Sequence, residues 1–203
     1  MFRLRSIVTV LALLCLSTVL VTPALAHPGD PGHEFVDGLE HPVFGLDHLL
    51  AMVAVGLLAV RIGGRALWAM PAAFLGSMLL GGLSATAGLQ LPGVEYGILA
   101  SVLVLGMLIA ATRAAPLSVG AGLVALFAFF HGYAHAAEMV SGGSLGAYAG
   151  GFLLSTALLN AVGVLAGLAL SRVSVGRLTG GWSLRIAGGA ITAAGLLLMF
   201  GAL

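Results

Sequence analysis

The chain has 203 residues, of which 60% are hydrophobic and only 7% charged, with a mean hydropathy of +1.15. A soluble domain carries about 25% charged residues, so this composition excludes an ordinary soluble core and implies several membrane spans. A formal net charge of +1, with no lysine and no basic stripe, gives no case for nucleic acid as a partner.

The first predicted element is a signal peptide over 1–26. Arg3 and Arg5 form a short positive region, 7–21 is largely apolar, and Ala24-Leu25-Ala26 is a small-x-small cleavage site. The mature chain is expected to begin at His27. The single cysteine, Cys15, lies in this segment behind Leu14, where a lipoprotein signal wants a small residue. Cleavage then leaves no thiol for disulfides, iron–sulfur ligation or nucleophilic catalysis.

Residues 27–42 read as a polar outer segment carrying His27, Asp30, His33, Glu34, Asp37, Glu40 and His41. Pro28, Gly29, Pro31 and Gly32 forbid a regular helix at its start. The segment is either a solvated acidic loop or a weak metal collector, with His27, His33 and Glu34 as auxiliary ligands.

Residues 27–203 are expected to form one all-α membrane domain, a polytopic helical bundle. Spans are predicted near 44–60, 67–88, 94–112, 117–136, 146–170 and 184–203, each close to the ~20 apolar residues that cross hydrocarbon as a helix. Counted alternately, Arg61, Arg65, Arg113, Arg172, Arg177 and Arg185 fall on one side, which the positive-inside rule makes cytoplasmic. The acidic residues and histidines fall toward the other side. Both mature termini then face the periplasm of a bacterial inner membrane. Trp68 and Trp182 sit near the cytoplasmic ends, where interfacial aromatics are common. Gly146-x3-Gly150 and Gly163-x3-Gly167 allow close helix approach, within the bundle or in a homo-oligomer. No nucleotide-binding motif is present, so ATP hydrolysis in this chain drives nothing.

Two motifs carry chemistry. His41-Pro42-Val43-Phe44-Gly45-Leu46-Asp47-His48 opens the first span. Ionisable groups at the edge of hydrocarbon are costly and need a reason. Pro42 suits a helix first turn, and His41 and His48, seven apart, share a face of a continuous helix. Asp47 either coordinates from the side or orients an imidazole. The second motif, His131-x3-His135-x2-Glu138, ends the fourth span. Its three groups project from one helical stripe, within the apolar bulk of Phe127, Phe129 and Phe130. A zincin would need Glu directly after the first histidine, where Gly132 stands. Facing spans would merge the two motifs into one site of nitrogen and oxygen ligands, suited to Ni²⁺, Co²⁺ or Zn²⁺. No tightly bound cofactor is called for.

The run H-P-G after the signal peptide, then H-P-x-x-G-x-D-H-x-x-x-M through Met52, then F-H-G-x-A-H-x-x-E, resembles the HupE/UreJ family. The resemblance covers nearly the whole chain, including Arg61 to Pro71, Leu91-Pro92-Gly93-Val94-Glu95, and Gly151 to Leu159. It implies a hydrogenase- or urease-associated membrane protein that takes up nickel. By that likeness His41, Asp47, His48, His131, His135 and Glu138 are the metal residues. The first motif is also similar to the H-x4-D-H string of nickel/cobalt transporters, one residue longer. Asn160 stands where many members have a histidine, and Ala136 replaces a glycine; Asn160 and Glu95 are auxiliary candidates. For Glu95 a negative charge at a helix N-terminus is the competing reading.

The leading expectation is therefore a secondary transporter, not an enzyme, importing Ni²⁺ from periplasm to cytoplasm for hydrogenase or urease maturation proteins. The alternatives are a metal-binding, chaperone-like membrane subunit and an intramembrane zinc enzyme.

Overall fold

In hydrocarbon every backbone N–H and C=O must be satisfied within the chain, so long apolar runs close on themselves as helices. The computed structural model describes residues 33–138, 144–172 and 180–201, with the side chains of 138 and 180 outside that description. The expected signal peptide and His27 lie outside the described residues. The described residues form seven helices and no strand: α1 (Glu34–Phe44), α2 (Leu46–Ile62), α3 (Ala66–Thr86), α4 (Val94–Ala110), α5 (Leu117–Glu138), α6 (Leu145–Arg172) and α7 (Gly180–Met199).

Helix α2 is the axis of the bundle. It touches α1, α3, α4, α5, α6 and α7, and Ala51, Met52 and Ala54 through Ala59 are buried. The most extensive pairings around it are α3 with α5, α4 with α7, and α1 and α2 with α6. These pairs meet backbone to backbone at glycines. A Cβ at Gly132 would overlap the carbonyl of Met78, and one at Gly56 would overlap the carbonyl of Asn160. Small residues are the usual means of such approach between membrane helices. The expected close contact at Gly163 and Gly167 is present, against Val53 and Val60. Gly146 has open space around it, Gly150 makes ordinary contact with Phe35, and the neighbouring Gly151 takes the tight position instead.

The two ends of the bundle differ. At one end the guanidinium of Arg61 donates to the carbonyls of Ala111 (2.9 Å) and Thr112 (3.2 Å), and Arg185 donates to that of Ala110 (3.0 Å). Cations at a helix C-terminus meet its unpaired carbonyls and its negative pole. Arg185 also lies 4.3 Å over the ring of Trp182. These bonds gather the C-terminal ends of α2 and α4 with the start of α7. His48 lies in the first turn of α2, 13 residues or about 20 Å from Arg61, so the histidines occupy the opposite end. There Tyr133 donates to Leu89 O at 2.7 Å and accepts from Leu91 N–H at 3.1 Å, tying the α3–α4 turn to α5.

Two expectations are corrected. Residues 34–44 form a helix within and just beyond the polar outer segment, read as either a solvated loop or a metal collector, because the glycines and prolines that forbid a helix at its start go no further than Gly32. Pro42 lies inside the last turn of α1 rather than in the first turn of the span. Gly45 alone separates α1 from α2, and the two axes bend by 80°. Four helices, α3, α5, α6 and α7, are long and apolar enough to cross a membrane, and the bent pair raises the number to five. Helix α4 is apolar but has only 17 residues; the expectation of six spans counted it as one.

Candidate metal centre

The bend at Gly45 is set by the groups that follow it. A Cβ there would lie 3.1 Å from His48 Nδ1 and 3.2 Å from Asp47 Oδ1, so a side chain would press on the pair that opens α2. The Asp47 carboxylate accepts two hydrogen bonds from His48, from its backbone N–H at 2.8 Å and its ring Nδ1 at 2.7 Å. A carboxylate bonded to Nδ1 holds the proton there and leaves the lone pair on Nε2. That Nε2 is buried and has no partner.

His131 and His135 come from α5, one turn apart on one stripe, as their spacing predicts. Both are buried. The Ser101 hydroxyl, on α4, donates to Ile98 O at 2.6 Å and so turns its oxygen toward His131 Nε2, 3.1 Å away. An acceptor at Nε2 makes that nitrogen the donor and leaves the lone pair on Nδ1, which is buried without a partner. His135 has neither ring nitrogen paired. Buried polar atoms are nearly always hydrogen-bonded, so four orphaned imidazole nitrogens in one cluster require an explanation.

One nitrogen from each of His48, His131 and His135 lies within 4.8 Å of the others. Around a bound ion with bonds of about 2.1 Å the nitrogens would be roughly 3.4 Å apart, so the rings need to close only slightly to hold one. Their centroids are 4.8 Å (His48–His131) and 4.5 Å (His48–His135) apart, in edge-on arrangements. Phe152 covers His135 at 3.9 Å and Phe74 lies 5.7 Å from His131. These rings shut water out on two sides and strengthen any charge interaction inside.

The other predicted residues are placed around this core. His41 approaches from α1, its ring 4.6 Å from His135 and 6.3 Å from His48. It is exposed and reaches the cluster across the bend, not along one helical face. Asp47 orients His48. Glu34 accepts from the Ser144 N–H at 3.4 Å, so it ties α1 to the start of α6. His33 is exposed at the N-cap of α1, and Glu95 is exposed in the first turn of α4; neither belongs to the cluster. Glu138 is the last residue of α5, and its side chain lies outside the described residues. Asn160 is buried on α6 with both amide atoms unpaired. Ser101, Phe74 and Phe152 had no signal of their own in the sequence: each is one ordinary residue in a long apolar stretch.

An all-helical, multi-pass membrane protein with a buried imidazole cluster is the class that this fold and site define. Within that class the chain belongs to the HupE/UreJ family: the family described as HupE / UreJ protein matches residues 13–198. Protein HupE of Rhizobium leguminosarum bv. viciae is similar to it, 40% identical over 199 residues that cover 98% of this chain and 100% of the relative. No solved structure matches the chain.

Proposed function

We propose that this protein is a permease that carries a divalent transition-metal ion, with Ni²⁺ as its cargo, from the periplasm across the bacterial inner membrane. The observation that supports this most is the set of three buried histidines whose unpaired nitrogens converge at one end of the bundle. Imidazole nitrogens without thiolate suit nickel, cobalt or zinc, and among these we take nickel, which the resemblance to the HupE/UreJ family favours. His48, His131 and His135 are the ligands in this reading, Asp47 fixes and charges the site through His48, and His41 attends its mouth. An ion sheds part of its hydration shell to the rings and then passes inward between closely packed, glycine-rich helices. The membrane potential favours inward passage of a cation by about 2.3 kcal/mol per charge per 100 mV.

The arginine end is cytoplasmic in this reading, and the histidine end periplasmic. Helix α4 counts as a sixth span, since 17 residues are the short limit for crossing hydrocarbon. Delivered nickel would serve hydrogenase or urease maturation. The test is nickel uptake by cells lacking their own importers and expressing the full chain. Uptake by the intact protein, lost in His48→Ala, His131→Ala and His135→Ala at equal membrane levels, is the expected result. A correctly inserted protein that conveys no nickel, cobalt or zinc defeats the proposal.

A further inference from the structure

Asn160 is 1% exposed, and neither its Oδ1 nor its Nδ2 has a hydrogen-bond partner. A buried amide left unpaired is costly, whereas leucine, which has the same branched side-chain shape though more bulk, would carry no such penalty at the same place. The position of the residue in the bundle suggests what the amide serves. Tyr148, Phe152, Thr156 and Asn160 recur every four residues along α6 and so share one stripe. The first three follow the histidine site inward. Tyr148 lies 6.4 Å from the His41 ring, the Phe152 ring lies tilted against His135 at 3.9 Å, and the Thr156 hydroxyl meets the Met78 sulfur at 4.0 Å. Asn160 comes one turn deeper, where its backbone carbonyl abuts Gly56 of α2. Gly56 is eight residues, about 12 Å, beyond His48. Asn160 is thus an unpaired oxygen donor on the inward continuation of the cluster.

We propose that Asn160 is a second, inner station for the transported ion, its amide oxygen receiving the metal after it leaves the histidines. The Thr156 hydroxyl and Met78 thioether lie between the two levels. The chemistry is graded: three imidazoles outside, then neutral hydroxyl, thioether and amide groups inside. An ion must bind well enough to enter and weakly enough to leave, and a second strong cage halfway down would trap it. A neutral amide compensates for lost hydration without adding such a trap. This inference rests on the permease reading above.

The experiment compares the full-length protein with Asn160→Leu and Asn160→Asp. Three quantities are read: nickel uptake in importer-deficient cells, Ni²⁺ binding to the purified protein against a metal-sensitive dye, and the thermal unfolding midpoint. Asn160→Leu is expected to slow uptake by about tenfold or more. Its nickel affinity should stay within about twofold of the parent, and its midpoint should be unchanged or raised, as expected when an unpaired buried amide is replaced by an apolar group. Asn160→Asp keeps an oxygen of the same reach but adds the charge that a neutral station avoids, so it should tighten nickel binding and slow uptake. Normal uptake by Asn160→Leu overturns the inner station, and the permease stands if His135→Ala still abolishes uptake and binding. Loss of uptake in Asn160→Leu together with a fall in affinity and midpoint assigns the amide a structural role and also overturns it. An Asn160→Asp variant whose nickel affinity is no higher than that of the parent removes the oxygen as the operative group. An intact chain that takes up no nickel defeats both proposals.

Discussion

The two histidine motifs reach the same point by opposite means. His131 and His135 stand on an unbroken helix, and α5 is set against α3 where Gly132 meets the Met78 backbone. Their geometry is fixed by helix pitch and by backbone contact, the least compliant elements in the bundle. His41 and His48 stand on two helices at 80°, joined only through Gly45. Their meeting depends on side-chain hydrogen bonds and on how α1 lies on α6, where Gly38 and Gly151 sit against the opposing backbones. One half of the cluster is built as a wall, the other as a hinged cover. The permease proposed above would use both: a rigid half to define the ligand geometry, and a compliant half to let the ion in and out.

That contrast can be broken most severely at Gly132. Gly132→Ala drives a methyl into the Met78 carbonyl and displaces both α5 histidines at once. A loss of about 1–3 kcal/mol of stability is expected, seen as a lower unfolding midpoint and loss of nickel uptake, whereas Gly146→Ala, in open space, should change neither. Next comes His135→Ala, which removes the ring that touches His41, His48 and Phe152. Uptake and metal binding should both vanish with the protein at normal levels in the membrane, read by uptake assay and dye competition. Asp47→Asn attacks the compliant half while keeping its shape. An amide in place of the carboxylate removes the charge and weakens the hold on the His48 proton, so nickel affinity should fall about 10- to 100-fold. The mildest effect is expected at Ser101→Ala, which frees the His131 tautomer but leaves the ring packed. Affinity should weaken by about tenfold at most; a drop as large as that of Asp47→Asn would mean the wall is no stiffer than the cover.

Much of this was legible in the sequence. Hydrocarbon imposes a helix length, so the apolar runs located α2 to α7 to within a few residues of the predicted spans. The H-x3-H spacing placed His131 and His135 on one stripe because nothing between them interrupts the helix. The first motif misled for the complementary reason. A seven-residue step from His41 to His48 implies one face only if the helix is continuous, and a single glycine ended it. Helix α1 was missed because its acidic, glycine-containing sequence resembles a loop, and its seat on α6 is a tertiary contact. Ser101 and Phe152 were illegible in principle: a serine bonded back to its own helix and a phenylalanine among leucines announce no partner 30 or 17 residues away in the chain.

Helices α6 and α4 differ greatly in length. At 28 residues α6 is about 42 Å long, and at 17 residues α4 is about 26 Å. The hydrocarbon slab is about 30 Å thick, so in the six-span reading proposed above no flat bilayer suits both. Around this bundle the lipid must thin beside α4, or α6 must lean and project beyond the surface. The N-terminal end of α6 supports α1, which carries His41 beside the histidine cluster. In that reading a change of membrane thickness that tilts α6 would also act on the contacts that hold His41 beside His135.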